Sequence, residues 1–517
     1  MTDPVERFKC IGVVGAGNMG SMMTFAFAEM GLDVSVWDVS GPNIDKLMEH
    51  VRKAQPGHFK GTITGYKDID QFTKSLEGKG ERKLFMFSIT HGHPADSVLA
   101  KIKHDLKPGD IIMDGGNENY RRTERRQREL EPLGVKWIGM GVSGGYQSAR
   151  RGPSLSPGGD KQAIEEVLPL LEKYSAKDRR TGLPCVTYVG PGGSGHFVKM
   201  VHNGIEGGML STTCEAWALL HNGLGMTYDE IGDVFAKWNE KGELWNTYLL
   251  AIGADMCHKR KSAEGDGHGE GVDPNDGYVL DDVLDKVVQD DDDTEGTPYW
   301  TVMDTAARHI SAPTIACAHY LRIASGNRDQ RVRVAEKLRI PPPKALSGIK
   351  DKDAFIETLR RAVYASYLAS FCQGLELIAR ASQDEGWHIN LGKCIQIWRA
   401  GCIIQSEYIA DMIQPILSSD VQIMNMKLID EVSAELHRNY EPLKQIILKT
   451  TEIDGYAPAM SATLEYLKYE SGTMLPTKFM EAQMDYFGAH AYNKPGVPGE
   501  DPGPTRKGPH HYEWKPA

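Results

Sequence analysis

The stretch FKCIGVVGAGNMGSMMTFAFAEMG, residues 8–31, decides the fold. Ile11 to Val14 are apolar and partly β-branched, which reads as a buried strand. Gly15, Gly17 and Gly20 follow in a G-x-G-x-x-G spacing, and Met22 to Met30 reads as a helix stopped by Gly31. Taken alone, that spacing is equally a structural turn. Between a strand and a helix it means more. A tight turn with bare backbone brings free amides and the positive end of a helix dipole to one point, where an anion can sit. The next run, DVSVWD, reads as a second strand ending in Asp38, about where an acid meets a ribose 2′-hydroxyl. Strand, loop, helix, strand and terminal acid in this order open a doubly wound α/β domain that binds a dinucleotide.

Asp38 bears on which dinucleotide. A carboxylate there bonds a 2′-hydroxyl and repels a 2′-phosphate. The residues after it, Val39, Ser40 and Gly41, include no arginine, so the expectation is NAD rather than NADP. The other reading of Asp38 is a solvated loop acid. Two more short apolar runs, KLFMFSI and DIIMDGG, end in small or polar residues. Ligands collect at the carboxyl ends of such strands. The candidate cofactor contacts are therefore Gly15, Gly17, Asn18, Met19, Gly20, Asp38, Ile89 and Asn117. A further run, VKWIGMGVSGG, delivers Ser143, Gly144 and Gly145, whose hydroxyl and open amides suit a carboxylate.

The chain has 517 residues, enough for two or three domains. Its 40% hydrophobic and 25% charged residues are globular values. The net charge of −11 argues against a nucleic-acid binder. Cys10, Cys185, Cys214, Cys257, Cys317, Cys372, Cys394 and Cys402 form no CxxC pair and read as reduced thiols. No signal peptide and no apolar run of membrane-spanning length is apparent, so a cytoplasmic protein is expected.

The segment VKMVHNGIE, residues 198–206, carries four polar side chains on an otherwise apolar helix. Lys199, His202, Asn203 and Glu206 are spaced i, i+3, i+4 and i+7 and so project from one face. A polar stripe on a buried helix costs free energy unless it is paired or used. Its chemistry is proton transfer. A desolvated lysine can take a hydroxyl proton while hydride leaves the same carbon, and a partly buried glutamate can hold and return a proton. Histidine and asparagine would orient substrate oxygens. This is the acid–base face of a hydroxyacid dehydrogenase, and it requires no metal.

The runs GAGNMG, DGGNENYRRT, GVSGGYQSARRGPSLSPGG, GHFVKMVHNGIE, YASYLASFCQG, WRAGCII and DYFGAHAY occur in that order. Together they resemble the 6-phosphogluconate dehydrogenases over nearly the whole chain. The resemblance implies oxidative decarboxylation, with Lys199 as base and Glu206 as acid. It implies a substrate site lined by Asn117, Ser143, Gly144, Gly145, His202 and Asn203, with Arg322 on the distal phosphate and His490 lent by the partner subunit of a homodimer. It also implies departures. The family's tyrosine after GIE is Gly207 here, its GTGKWT lysine is Tyr299, and the arginine before DYFGAH is Met484. Each loss removes a hydrogen bond worth roughly 1.5–3 kcal/mol when an anion is involved. The expectation is an NAD-linked sugar-acid dehydrogenase with an altered preference at the 6-position. The alternatives are an ordinary NADP-linked 6-phosphogluconate enzyme and a non-catalytic nucleotide-binding dimer.

From residue 194 onward apolar residues recur at three and four, as in FIETLRRAVYASYLASFCQGLELIARA, which predicts an all-α region. The expected domains are 1–193, dinucleotide-binding; 194–484, helical, catalytic and dimer-forming; and 485–517, a tail reaching a partner. CEAWALL resembles LELIARA, and WNEKGELWNTYL resembles WRAGCIIQSEYI at a similar separation, which suggests an internal duplication. Trp238 and Trp398 in these copies read as core. The glycine-rich and acidic stretch 259–297 reads as solvated loop. The tail after Ala491 is rich in Pro, Gly and His and cannot build its own core; His510 and His511 there could bind metal adventitiously.

Overall fold

A seven-stranded sheet runs in the order β3-β2-β1-β4-β5-β6-β7. Its strands are β1 (Cys10–Val14), β2 (Asp33–Trp37), β3 (Ile63–Tyr66), β4 (Leu84–Phe87), β5 (Ile111–Asp114), β6 (Lys136–Ser143) and β7 (Ser154–Gly158). All neighbours are parallel except β6 and β7. The computed structural model describes residues 7–55, 57–79, 82–261, 277–288, 296–419 and 423–515. Strands β1, β4 and β5 are buried along their whole length, which explains why they read as continuous apolar runs. Side chains alternate between two cores. Val13, Met86 and Met113 pack with Phe27 on one face, and Val14, Phe87 and Ile112 pack with Trp137 on the other.

Strand order reverses between β1 and β4, and ligand crevices open at that point of a doubly wound sheet. The register sets three loop starts side by side, because Val14 pairs with Phe87 and Phe87 with Asp114. Gly15, Ser88 and Gly115 therefore leave the sheet together.

The central helix, Ser194–Ala218, begins the helical part of the chain. It sits close to the sheet because side chains are missing at the contacts. A Cβ on Gly195 would lie 2.0 Å from the Gly139 carbonyl oxygen and 2.4 Å from that of Ser156. Two partner helices approach the central helix in the same way. A Cβ on Gly204 would meet Thr301 of the helix Thr297–Ala307 at 2.4 Å, and one on Gly208 would meet Ser370 of the long helix Lys352–Glu385 at 2.4 Å. Trp238 and Trp398 are buried, as core residues should be. The two similar segments meet through an antiparallel bridge between Thr247 and Ser406.

The chain divides into two compact units, one running to Leu464 and one from Glu465 onward. In the second unit the tail is mostly exposed, yet it is held. Tyr492 and His510 form an antiparallel bridge. The Nε2 of His510 meets Glu500 at 2.9 Å, and the Nδ1 of His511 meets Asp485 at 2.9 Å, so both histidines face carboxylates. Residues 262–276 and 289–295 of the expected loop stretch lie outside the described residues. Residues 279–288 are exposed except for the half-buried Leu280, and Lys261 pairs with Asp282 at 2.7 Å.

Candidate active site

The glycine loop after β1 is shaped by three different demands. Gly15 has φ +101°, and a Cβ there would lie 2.2 Å from the Ser88 carbonyl oxygen, so only glycine fits the turn. A Cβ on Gly20 would lie 2.0 Å from the Gly15 carbonyl oxygen, so its absence lets the helix Asn18–Met30 close on the loop. A Cβ on Gly17 would meet nothing within 4 Å, which leaves bare backbone facing open space, as a pyrophosphate needs. Asp38 braces this loop. Its carboxylate accepts the Ala16 amide at 2.6 Å, the Ser40 amide at 2.7 Å and the Asn43 side-chain amide at 3.2 Å.

A cavity of about 950 Å³ opens beside the loop. Gly15, Gly17, Asn18, Met19, Gly20, Asp38, Ile89 and Asn117 all line it. Lys199, Asn203 and Glu206 of the central helix line the same cavity, with Gly144 and Gly145. Asn117 arrives by way of a tight turn in which the Asp114 side chain accepts the Gly116 amide at 3.2 Å. Gly144 and Gly145 both have positive φ, +107° and +71°, and a Cβ on Gly144 would lie 2.2 Å from the Gly401 carbonyl oxygen.

The central helix is locked in rotation by His196. Its Nε2 donates to the Asp114 carbonyl at 3.0 Å, since a carbonyl can only accept, which leaves Nδ1 to accept the Thr123 hydroxyl at 2.6 Å. Gly141 of β6 then faces Lys199, where a Cβ would lie 2.4 Å from the lysine's own Cβ. Lys199 is buried, and its Nζ donates to Asn203 Oδ1 at 2.8 Å. The same oxygen accepts from His202 Nδ1 at 3.0 Å. The Lys199 and His202 donors fix the amide's orientation by requiring its oxygen on their side, and its Nδ2 donates to Thr297 Oγ1 at 2.7 Å. His202 also faces Glu206, with Nδ1 and Oε2 3.7 Å apart. Burial, with the nearby Lys199 charge, holds the imidazole of His202 well below its usual pKa, so it is a neutral ring that donates through Nδ1.

The structure therefore gathers the cofactor candidates and three of the four stripe residues, Lys199, Asn203 and Glu206, around one space. Ser143 is buried at the end of β6, and His202 is buried behind the cavity wall. Arg322 is half-buried on the helix Pro313–Gly326 and is not among the lining residues. His490 belongs to the second unit. Sequence reasoning missed Thr297, which fixes Asn203. It also missed Ser88, Thr90, His93, Ser97 and Lys101, which line the cavity from the end of β4 and the helix after it. The signal for Ser88 and Thr90 was available, since they end an apolar strand.

Both parts of the chain match known families. Residues 10–190 match the model described as the NAD binding domain of 6-phosphogluconate dehydrogenase, and residues 195–514 match the 6-phosphogluconate dehydrogenase C-terminal domain. A decarboxylating 6-phosphogluconate dehydrogenase of Emericella nidulans is 68% identical over 96% of this chain and 100% of its own length. One from Synechocystis is 35% identical over 95% of this chain and 96% of its own. The Plasmodium falciparum 6-phosphogluconate dehydrogenase, solved apo, with its cofactor NADP+ and with its substrate 6-phosphogluconate, superposes with a TM-score of 0.83 at 30% identity, covering 98% of this chain and all of that one. With a loop for a dinucleotide and a held lysine facing one cavity, and with relatives matched end to end, the chain belongs to the decarboxylating 6-phosphogluconate dehydrogenase family of oxidoreductases.

Proposed function

We propose that the chain oxidises and decarboxylates 6-phosphogluconate. The observation that carries this reading is that Lys199, Asn203 and Glu206 line the same cavity as the Gly15–Gly20 loop. The dinucleotide, when bound, supplies the hydride acceptor. The Lys199 amine takes the proton of the substrate's 3-hydroxyl as that carbon is oxidised to the ketone. A carboxylate β to the new ketone is lost as carbon dioxide while the protonated Lys199 returns its proton to the ketone oxygen, leaving an enediol. Glu206 gives a proton to the carbon that carried the carboxylate, and a five-carbon ketose phosphate results. Asn203 keeps the lysine nitrogen in place, and the neutral His202 ring steadies Asn203. Asn117, Ser143, Gly144 and Gly145 are assigned to the carboxylate end of the substrate, and Arg322 to its phosphate.

NADP is the favoured oxidant, because the solved relative named above takes NADP+ as its cofactor. The comparisons do not support the NAD preference expected from Asp38. One observation keeps NAD as the second reading. A 2′-phosphate would face the buried Asp38 carboxylate, Val39 after it is 82% exposed, and Lys101 is the only lysine or arginine lining that end of the cavity among the described residues. The altered 6-position also keeps a physical basis, since a Cβ on Gly207 would meet nothing within 4 Å. The weight of the named relatives nevertheless favours 6-phosphogluconate itself.

A homodimer exchanging tails is part of the proposal. In its support, the helix Thr477–Gly488 leaves Phe479 71% and Phe487 72% exposed, an apolar face suited to a second copy. No helix of the described residues is long and apolar enough to cross a membrane, and the eight cysteines are free, as a cytoplasmic enzyme would have them.

Turnover of 6-phosphogluconate and of gluconate, each with NADP and with NAD, tests the assignment when carbon dioxide is measured beside reduced dinucleotide. The expected result is one carbon dioxide per reduced NADP from 6-phosphogluconate. Oxidation without carbon dioxide, or no turnover of 6-phosphogluconate, would sink it. A higher kcat/KM with NAD would establish the second reading.

A further inference from the structure

The tail beyond Ala491 has no part in the chemistry above, yet its end converges on one carboxylate. Asp485, in the last turn of the helix Thr477–Gly488, is fully buried. Its Oδ1 accepts the Ala491 amide at 3.0 Å and His511 Nδ1 at 2.9 Å. Its Oδ2 accepts the Tyr512 amide at 3.1 Å and Trp514 Nε1 at 2.8 Å. Its backbone carbonyl accepts the Ala489 amide at 2.9 Å. Burial opposes the charge, but these donors outweigh it and hold the carboxyl well below its usual range.

The bonds to Ala489 and Ala491 bracket a single residue, His490. Both alanines are left-handed, with φ +46° and +63°, a conformation that residues with a Cβ avoid. Such a turn persists only where its surroundings over-determine it. The ring of His490 folds back over the helix end, where a Cβ on Gly488 would lie 2.5 Å from it, and it packs edge-on to Phe487 with centroids 5.8 Å apart.

We propose that Asp485 is a positioning residue: with His511 and Trp514 of the tail, it fixes the left-handed turn 489–491 and so sets where His490 points. The kinetic consequence rests on the reading of His490 as a substrate contact. The Pro- and Gly-rich tail then serves to return three donors to Asp485 rather than to form a core of its own.

Four variants of the protein test this: Asp485→Asn, the mild Trp514→Phe, a chain ending at His510, and His490→Ala. Asp485→Asn and the shortened chain should each raise KM for 6-phosphogluconate about tenfold, while kcat and dinucleotide KM stay within about twofold. Trp514→Phe should give a smaller rise with an unchanged Tm. Asp485→Asn added to His490→Ala should cost nothing further. Amide exchange should show Ala491 losing protection in Asp485→Asn. Unchanged protection, equal rises in both KM values, or additive penalties would overturn the proposal. If His490→Ala raises KM and Asp485→Asn does not, the positioning claim alone fails. If His490→Ala leaves KM unchanged, the reading of His490 fails and the kinetic claim fails with it.

Discussion

Gly17 lines the cavity and Gly141 faces Lys199, and they lack a side chain for opposite reasons. At Gly17 the missing Cβ leaves open space, so the vacancy is open to a ligand. At Gly141 it would lie 2.4 Å from Lys199 Cβ and from Ser156 Oγ, so the vacancy is filled by the protein itself. The nucleotide end binds by uncovering backbone. At the other end a buried helix is pressed against the sheet, which sets where the amine of Lys199, the proposed base, leaves the helix. A glycine in a motif can therefore mark a ligand's approach or a neighbour's.

The sharpest break of this comparison is at the amine. Lys199→Met keeps an apolar stem of similar length and removes the base, so the fold should persist while kcat falls by about 10³-fold. Reduced-dinucleotide absorbance at saturating substrate measures it, and a kcat near the original would end the assignment of Lys199. Gly141→Ala comes next. The added methyl must push the central helix away or twist β6, which should lower kcat by about 100-fold through misplacement of the amine and cost about 1–3 kcal/mol of stability. Gly17→Ala should do neither. With nothing near the new methyl, Tm should stay unchanged while dinucleotide KM rises about tenfold, or about 1.4 kcal/mol. If Gly17→Ala lowers Tm and Gly141→Ala spares kcat, the two vacancies have been read the wrong way round.

Much of this was legible because it is local. The strand, the glycine loop and the helix after it lie within residues 10–30, and their periodicities need no knowledge of the rest of the chain. Lys199, His202, Asn203 and Glu206 were legible for the same reason, since helical spacing alone puts them on one face. Thr297 was not. It reaches Asn203 from 94 residues away, and no spacing rule spans a change of helix. Asp38 shows a different limit. A carboxylate after the second strand reads as a ribose ligand, but here it also accepts from Ala16, Ser40 and Asn43. Bracing a loop and choosing a cofactor call for the same residue at the same place, so sequence cannot separate them. Asp485 was hidden further. Its donors come from a stretch whose composition reads as structureless, and composition reports the absence of an apolar core without reporting hydrogen bonds.

Asp38 and His202 extend the comparison from space to polar satisfaction, and yield its smallest effect. The Asp38 carboxylate has three donors. His202 donates from Nδ1 to Asn203, but its Nε2 is buried with no hydrogen-bond partner among the described residues. Protonating that nitrogen would bury a charge away from water, and secondarily set it near the Lys199 charge, and this is why the ring's pKa lies well below 6.5 in the fold. Unfolded chain binds the proton near pH 6.5 and folded chain does not, so the group's stabilising contribution is full above that pH and is lost as pH falls below it. Unfolding free energy should therefore drop more steeply between about pH 7 and about pH 5 in the original protein than in His202→Asn, which has nothing to titrate there. Denaturant melts across that range measure both slopes. Equal slopes would mean that the folded site admits the proton after all, and that a cation, not a neutral donor, stands behind Asn203.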